Sequence, residues 1–410
     1  MLAIDRIRQD IEALSKFNST PEQGCTRFSY SREDWQARDY LLRQFEQLNL
    51  SVTTDGVGNI RARRNGIKPE LPPVLIGSHI DTVHHGGKFD GVLGVVSGLE
   101  ALRVICAANT SHTHPIELVI FAEEEGSNFT SLAGSKALVG ALDVEDLKRL
   151  VNSQGVSMYQ AAKDFGLDPD SMHRHVISPG AVKAMLELHI EQSVVLETEG
   201  IPVGIVENVA GGRWLGVTLK GVANHAGATP MPYRKDPMAG AAEIISQVGT
   251  IVAAQGTDTT VATVGKIECS PNAPNVIPGE VFFTFDVRDI NTAGMENVCS
   301  ALIRTVKTVA ESNGLRAEIQ VMGETLPVRL SPFVSSELEA AATGLGLQHK
   351  RMNSGALHDA CIMAGVTDVG MIFVPSVGGR SHAPEEDTRY QDIEAGAKLL
   401  LAALLRLAAA

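Results

Sequence analysis

Cysteine is scarce in this chain of 410 residues, with only five, Cys25, Cys106, Cys269, Cys299 and Cys361, odd in number and without close pairing. That excludes a disulfide framework and suits a reducing compartment. None of the five stands in a context that would make it a nucleophile. Basic charge is also short: 35 Lys and Arg against 48 Asp and Glu give a net charge of −13. A nucleic-acid partner or an anionic membrane surface would require basic patches, so neither is expected. There is no low-complexity segment, and no Gly-x-Gly-x-x-Gly follows the first strand-like run, which disfavours a Rossmann cofactor enzyme. The start, Met1-Leu-Ala-Ile-Asp-Arg-Ile-Arg-Gln-Asp-Ile11, lacks the continuous apolar core of a signal peptide, so the cytoplasm is the expected location. Its Ile4, Ile7, Ile11 and Leu14 form a helical stripe suited to covering a core. The apolar run Ala395–Ala410 is interrupted by Lys398 and Arg406 and is short for a membrane span, so it reads as a closing helix.

What is present is an ordinary globular apolar content on a chain longer than one core usually serves, which predicts two domains. Strand-like and helix-like patterns alternate through the first two hundred residues, implying an α/β fold with a mostly parallel sheet and helices on both faces. Pro73–His79 and Ile116–Ala122 read as buried strands and Gly91–Ala107 as a helix. The pattern changes near Ala210-Gly-Gly212. From there Trp214–Lys220, Thr259–Glu268 and the alternating Glu280–Asp289 read as strands, and Pro237–Ala254 and Gly294–Ser312 as helices. This is an α+β sandwich spanning 210–325, inserted in a discontinuous first domain of 1–209 and 326–410.

The chemistry-bearing residues lie in separate local motifs: His79 and Asp81 in Gly77-Ser-His-Ile-Asp, Asp90 in Lys88-Phe-Asp-Gly-Val, Glu123-Glu124-Glu125, His189 in His-Ile-Glu-Gln192, and His382 in Gly379-Arg-Ser-His. Imidazoles with an aspartate able to bridge and a glutamate suit a pair of divalent ions better than one. Two apolar strands that run into His79 and into the acidic triplet would deliver ligands to one sheet edge, where open α/β sheets gather them. Strand alternation lets Asp81 face the same way as His79 and orient its imidazole. A lone histidine is more often a hydrogen-bonded or surface residue than a ligand, and an acidic triplet more often a solvated loop. The conjunction of several such motifs favours metal. Glu123 is expected to be structural.

These motifs, together with Asn224-His-Ala-Gly-Ala-Thr-Pro-Met231 and Ser354-Gly-Ala-Leu-His-Asp-Ala360, resemble the M20 metallopeptidase clan, in its amidase, hydantoinase and carbamoylase branch. The resemblance runs in motif order from Gly77 to Asp387. It implies that Asp90 bridges two metals, with His79 and His189 completing one site and Glu125 and His382 the other. Glu124 would then be the general base, although residue chemistry alone leaves open which glutamate is ligand and which is base. The ions would be Zn, Mn, Co or Ni. The chain departs from the family pattern at Asn128, Ser193, Leu357 and Ala383, and no ligand is among them.

In the insert, period-two alternation places Phe283, Phe285 and Val287 on one face and Thr284, Asp286 and Arg288 on the other. The planar fork of Arg288 suits a substrate α-carboxylate, and a surface pair with Asp286 or Asp289 is its plain alternative. The resemblance implies that His225 and Asn275 polarise the scissile carbonyl, from the same subunit or its partner. It gives Gln192 the polar end of the substrate, makes Gly379 and Arg380 pocket residues, and makes the insert a lid that forms a homodimer. The function implied is hydrolysis of a linear ureido or amide bond in a small carboxylate-bearing molecule. An N-carbamoyl-L-amino acid is the leading substrate, yielding amino acid, carbon dioxide and ammonia. Allantoate, N-acyl amino acids and dipeptides are alternatives, and a non-catalytic binding homologue is the alternative of another class.

Overall fold

The computed structural model describes residues 2–409, and these divide into two compact units. Met1 and Ala410, the outer ends of two expected helical stretches, lie outside them. The first unit comprises the chain up to Glu207, Leu330–Met352 and His358–Ala410. The second comprises Asn208–Arg329 and Asn353–Leu357. The second unit begins at Asn208, the first resumes at Leu330, and the short segment Asn353–Leu357 returns to the second.

In the first unit the sheet order runs Ser51–Thr54, Ile60–Arg64, Ile116–Phe121, Val74–His79, Ala184–Ile190, Asp368–Val374, Val203–Val209. The centre is parallel: Val74–His79 pairs with both Ile116–Phe121 and Ala184–Ile190, and the latter with Asp368–Val374. Toward each edge the pairing turns antiparallel. The sequence explains the centre. Val-Leu-Ile-Gly-Ser-His and Ala-Met-Leu-Glu-Leu-His-Ile are buried at every position, as strands covered on both faces must be. The acidic residue within the second of these is satisfied: Glu187 accepts from Ser78 Oγ at 2.7 Å and from the Ala360 N–H at 3.1 Å.

Helix Val92–Ala107 is apolar nearly all round and lies in the main core with Ile4–Leu14, Pro332–Gly344 and Tyr390–Ala409. The predicted stripe holds: Ile7, Ile11 and Leu14 are wholly buried and Ile4 partly so. Each full burial contributes roughly 1.5–3 kcal/mol. The closing helix begins at Tyr390, earlier than its apolar run indicated, and buries Leu399, Leu400, Leu404 and Leu407.

The second unit is an antiparallel sheet ordered Ile267–Ser270, Glu280–Asp289, Gly211–Lys220, Arg316–Thr325, with Val261–Thr263 also on Glu280–Asp289. Leu215, Val217, Val281, Phe283, Phe285 and Val287 form one core with Ile244, Met295, Val298 and Leu302 from its helices. Two expected elements are broken. The helix expected over Pro237–Ala254 is two helices, Pro237–Ser246 and Val248–Gln255, meeting at Gln247. The strand expected over Thr259–Glu268 is two short strands, Val261–Thr263 and Ile267–Ser270. Gly265 lies in the gap, where a residue with no side chain to pack weakens a strand.

Candidate metal centre

Three central strands end at one edge of the sheet, and each leaves a potential ligand there. His79 is the last residue of Val74–His79, Glu123 to Glu125 follow Ile116–Phe121, and His189 is next to last in Ala184–Ile190. Asp90 arrives on the loop before helix Val92–Ala107, and His382 on the loop after Asp368–Val374. Gly91, at φ 63°, makes the turn between Asp90 and the helix. A Cβ there would lie 2.4 Å from the His79 ring, so only glycine leaves room for that imidazole.

Asp90 is the centre of the arrangement. Its Oδ1 lies 3.1 Å from His189 Nε2 and 3.4 Å from His79 Nε2, and its Oδ2 lies 3.5 Å from His382 Nε2. His382 Nε2 is also 3.4 Å from Glu125 Oε2, and Glu124 Oε2 is 3.7 Å from His79 Nε2. The donor atoms form three tight groups: His79, Asp90 and His189; Asp90, Glu125 and His382; and His79, Glu124 and Glu125. Two of the groups share the one aspartate, which is the topology of a bridged pair of sites.

The donor set fits divalent ions. His79 Nδ1 lies 3.1 Å from the Asp81 carbonyl and His189 Nδ1 2.9 Å from the Ile190 carbonyl. A carbonyl only accepts, so each Nδ1 carries the proton and each Nε2 presents its lone pair to the cluster, as a metal-ligating imidazole must. Glu125 Oε1 is buried without a hydrogen-bond partner among the described residues.

The electrostatics agree. Burial, reinforced by the neighbouring acids, lifts Glu124 well above the usual carboxylate range. Burial and the Asp90 charge push Glu125 up to about 7. Against burial, the His189, His382 and His79 imidazoles hold Asp90 well below its usual range. The hydrogen bond to Asp90 raises His382 to about 9. Carboxylates crowded out of water in this way are what a divalent cation relieves.

Asp81 makes a different contact from the one expected. The His79 ring bonds its main-chain carbonyl, while its carboxylate stands 3.7 Å away and accepts the N–H groups of Glu124 at 3.2 Å and Glu125 at 3.1 Å. Glu123 is structural, as expected: fully buried at φ 53°, it accepts the N–H groups of Asn128 and Phe129 and is pushed up to about 8, by burial first. Gln192, assigned to the substrate, donates from Nε2 to Asp90 Oδ2 at 2.7 Å, and its Oε1 is buried without a hydrogen-bond partner among the described residues. Gly379, at φ 64°, lies against Val194, where a Cβ would meet Val194 Cγ1 at 2.4 Å; Arg380 is exposed.

His225, Asn275 and Arg288 belong to the second unit. The first two adjoin there: Val276 is the strand partner of His225, and the Ala226 N–H donates to the Asn275 carbonyl at 3.0 Å. Arg288 makes the contact weighed as its plain alternative, donating to Asp286 through Nε at 3.0 Å and Nη2 at 2.9 Å. Its Nη1 reaches the Gly355 carbonyl at 2.9 Å.

Sequence reasoning gave no role to His358, Ser381 or Glu386. His358 is buried with its ring edge-on to His189 at 4.6 Å. Ser381 and Glu386 contact the Asp90 loop. Their only signal was nearness to a proposed ligand or motif.

The model for peptidase family M20/M25/M40 matches residues 75–406. An N-carbamoyl-L-amino-acid amidohydrolase of Pseudomonas sp. (strain NS671) is 40% identical over 405 residues, 98% of each chain. An allantoate amidohydrolase of Escherichia coli (strain K12) is 34% identical over 411 residues, 99% of each. The solved structure of an amidase of the hydantoinase/carbamoylase family from Burkholderia multivorans superposes with a TM-score of 0.93 at 35% identity, covering 100% of this chain and 98% of that one. With its ligand types gathered at one sheet edge and this similarity along nearly its whole length, the chain belongs to peptidase family M20/M25/M40.

Proposed function

We propose that this protein hydrolyses a linear ureido or amide C–N bond in a small carboxylate-bearing substrate, with an N-carbamoyl-L-amino acid as the leading candidate. The observation that carries the reading is Asp90 shared between two ligand groups. The 40% identical relative named for N-carbamoyl-L-amino acids supports the choice of substrate.

His79, Asp90 and His189 would hold one ion, and Asp90, Glu125 and His382 the other. Zn, Mn, Co and Ni all suit this set of nitrogen and oxygen donors. Ions held there would lower the pKa of a bound water and polarise the substrate carbonyl. Glu124 takes a proton from the attacking water and returns it to the leaving nitrogen, a task its raised proton affinity suits. His225 and Asn275 donate to the carbonyl oxygen as charge develops on it. Arg288 binds the α-carboxylate, exchanging its Asp286 contact for the substrate, and Gln192 and Gly379 line the pocket. The products are the amino acid, carbon dioxide and ammonia. The second unit acts as lid and dimerisation surface of a cytoplasmic homodimer.

Allantoate is the second reading, on the strength of the 34% identical Escherichia coli relative. The deciding experiment measures ammonia and amine release by metal-reconstituted protein against N-carbamoyl-L- and D-amino acids, N-carbamoyl-β-alanine, allantoate, N-acyl amino acids and dipeptides. Turnover of N-carbamoyl-L-amino acids is expected. Turnover of allantoate alone selects the second reading, and turnover of acyl compounds or dipeptides alone overturns both.

A further inference from the structure

Glu386 is a carboxylate only 5% exposed, and no Lys or Arg pairs with it among the described residues. Burying such a group costs stability unless its oxygens are bonded. Here they are bonded across the chain: Oε1 accepts the Phe89 N–H at 2.9 Å and the Asp90 N–H at 3.1 Å, in a segment 297 and 296 residues earlier. Its Oε2 lies 3.0 Å from Ser381 Oγ, and that hydroxyl lies 2.9 Å from Asp90 Oδ2. A hydroxyl has one proton, so Ser381 serves the two carboxylates in turn. The seat is built for this side chain. A Cβ on Gly87 would lie 2.0 Å from Glu386 Oε1 and 2.4 Å from its Cβ, so glycine there lets the carboxylate reach the amides behind it.

Glu386 follows His382 by one turn of chain, and Asp90 stands two residues before its own helix, with Gly91 between. Neither loop is held by a strand at the point where it offers its ligand. We propose that Glu386 is a positioning residue that locks the Asp90 loop to the Ser381–His382 loop, so that the two halves of the metal centre keep one spacing. The proposal rests on the reading of Asp90 and His382 as ligands. Glu386 belongs to none of the ligand groups and reaches Asp90 through its backbone N–H and by way of Ser381.

The test compares wild type with Glu386→Ala and Glu386→Gln. Mn²⁺ and Zn²⁺ binding is measured by equilibrium dialysis with elemental analysis, and thermal melting with and without metal. Glu386→Ala is expected to weaken metal binding roughly 10- to 100-fold, the usual effect of removing a group that orients a ligand. It should shrink the melting-temperature gain on adding metal while leaving the metal-free melting temperature close to wild type. Glu386→Gln, whose amide oxygen still accepts both N–H groups, should stay near wild type in both. Wild-type metal affinity in Glu386→Ala, or a lower metal-free melting temperature with an unchanged metal-induced gain, overturns the proposal in favour of a plain packing role. A wild-type protein that takes up neither ion overturns the metal reading and this one together, a separable result. Should Glu386→Ala fail to fold, Ser381→Ala decides: weaker metal binding supports the lock, and unchanged binding overturns it.

Discussion

His225 Nδ1 accepts the backbone N–H of Gly227 at 3.0 Å. The Ala228 N–H points to the same atom at 3.2 Å, so the ring proton of the neutral imidazole sits on Nε2. The tight turn thereby presents an exposed N–H donor, the form an oxyanion needs. His225→Ala is expected to lower kcat about 10²- to 10³-fold with unchanged metal content, as loss of one oxyanion donor does. Steady-state kinetics beside elemental analysis checks this, and an unaltered kcat would remove His225 from the chemistry.

Glu124→Gln should retain metal and lose turnover by at least about 10²-fold, because the amide cannot accept the proton. Asp90→Ala should lose both, since Asp90 belongs to two ligand groups. Metal analysis of the purified variants separates the two outcomes. Full activity in Glu124→Gln would transfer the base to its neighbour.

Arg288→Ala is expected to raise KM roughly 10- to 100-fold for substrates with an α-carboxylate, the size of one lost charged hydrogen bond. Carboxamide analogues should respond less. An equal rise for both would assign Arg288 to the Asp286 pair alone.

Metal-free protein should lose stability as pH rises. Glu125 binds its proton more tightly folded, at about 7 against an ordinary 4.5, so its contribution is complete below 4.5 and is lost as pH climbs to 7. His382, raised from 6.5 to about 9, loses its contribution between those values. Divalent metal should flatten or reverse the trend, because ions compete with protons for the same atoms. Melting curves from pH 5 to 9, with chelator and with Mn²⁺, measure it; a metal-free protein that grows more stable across this range would contradict these proton affinities.

Gly91→Ala combines a left-handed backbone with a Cβ 2.4 Å from the His79 ring. It should cost about 1–3 kcal/mol of stability and most of the bound metal. Denaturant unfolding and metal analysis are the readouts, and a stable, metal-replete variant would show that the loop can yield.

The parts legible in the sequence were those written in side-chain type and period. The largely apolar runs ending at His79 and at the acidic triplet announced buried parallel strands, and the alternation from Phe283 to Arg288 matches its burial. The ligand types were readable because each sits in its own short motif. Contacts made by the backbone were not. Nothing in Asp81 says that its carboxylate will take two consecutive amides instead of the imidazole two residues before it. The Glu386 cradle joins segments some three hundred residues apart, and a local pattern carries no record of such a pairing. Gln247 ends one helix and caps the next within a run whose composition reads as continuous helix.

The Asp81 carboxylate grips the amides of Glu124 and Glu125 at nearly equal length. These two residues are chemically identical, so nothing in their side chains says which should bind an ion and which should carry a proton. The difference is one of address, set by which peptide unit each oxygen of Asp81 holds. Inserting one residue just before Glu124 would keep both glutamates but move Glu124 to the address of Glu125 and push Glu125 out of the pair, and deleting one would move Glu125 to the address of Glu124. For this enzyme the length of a loop is thus as much a catalytic specification as the identity of any residue in it.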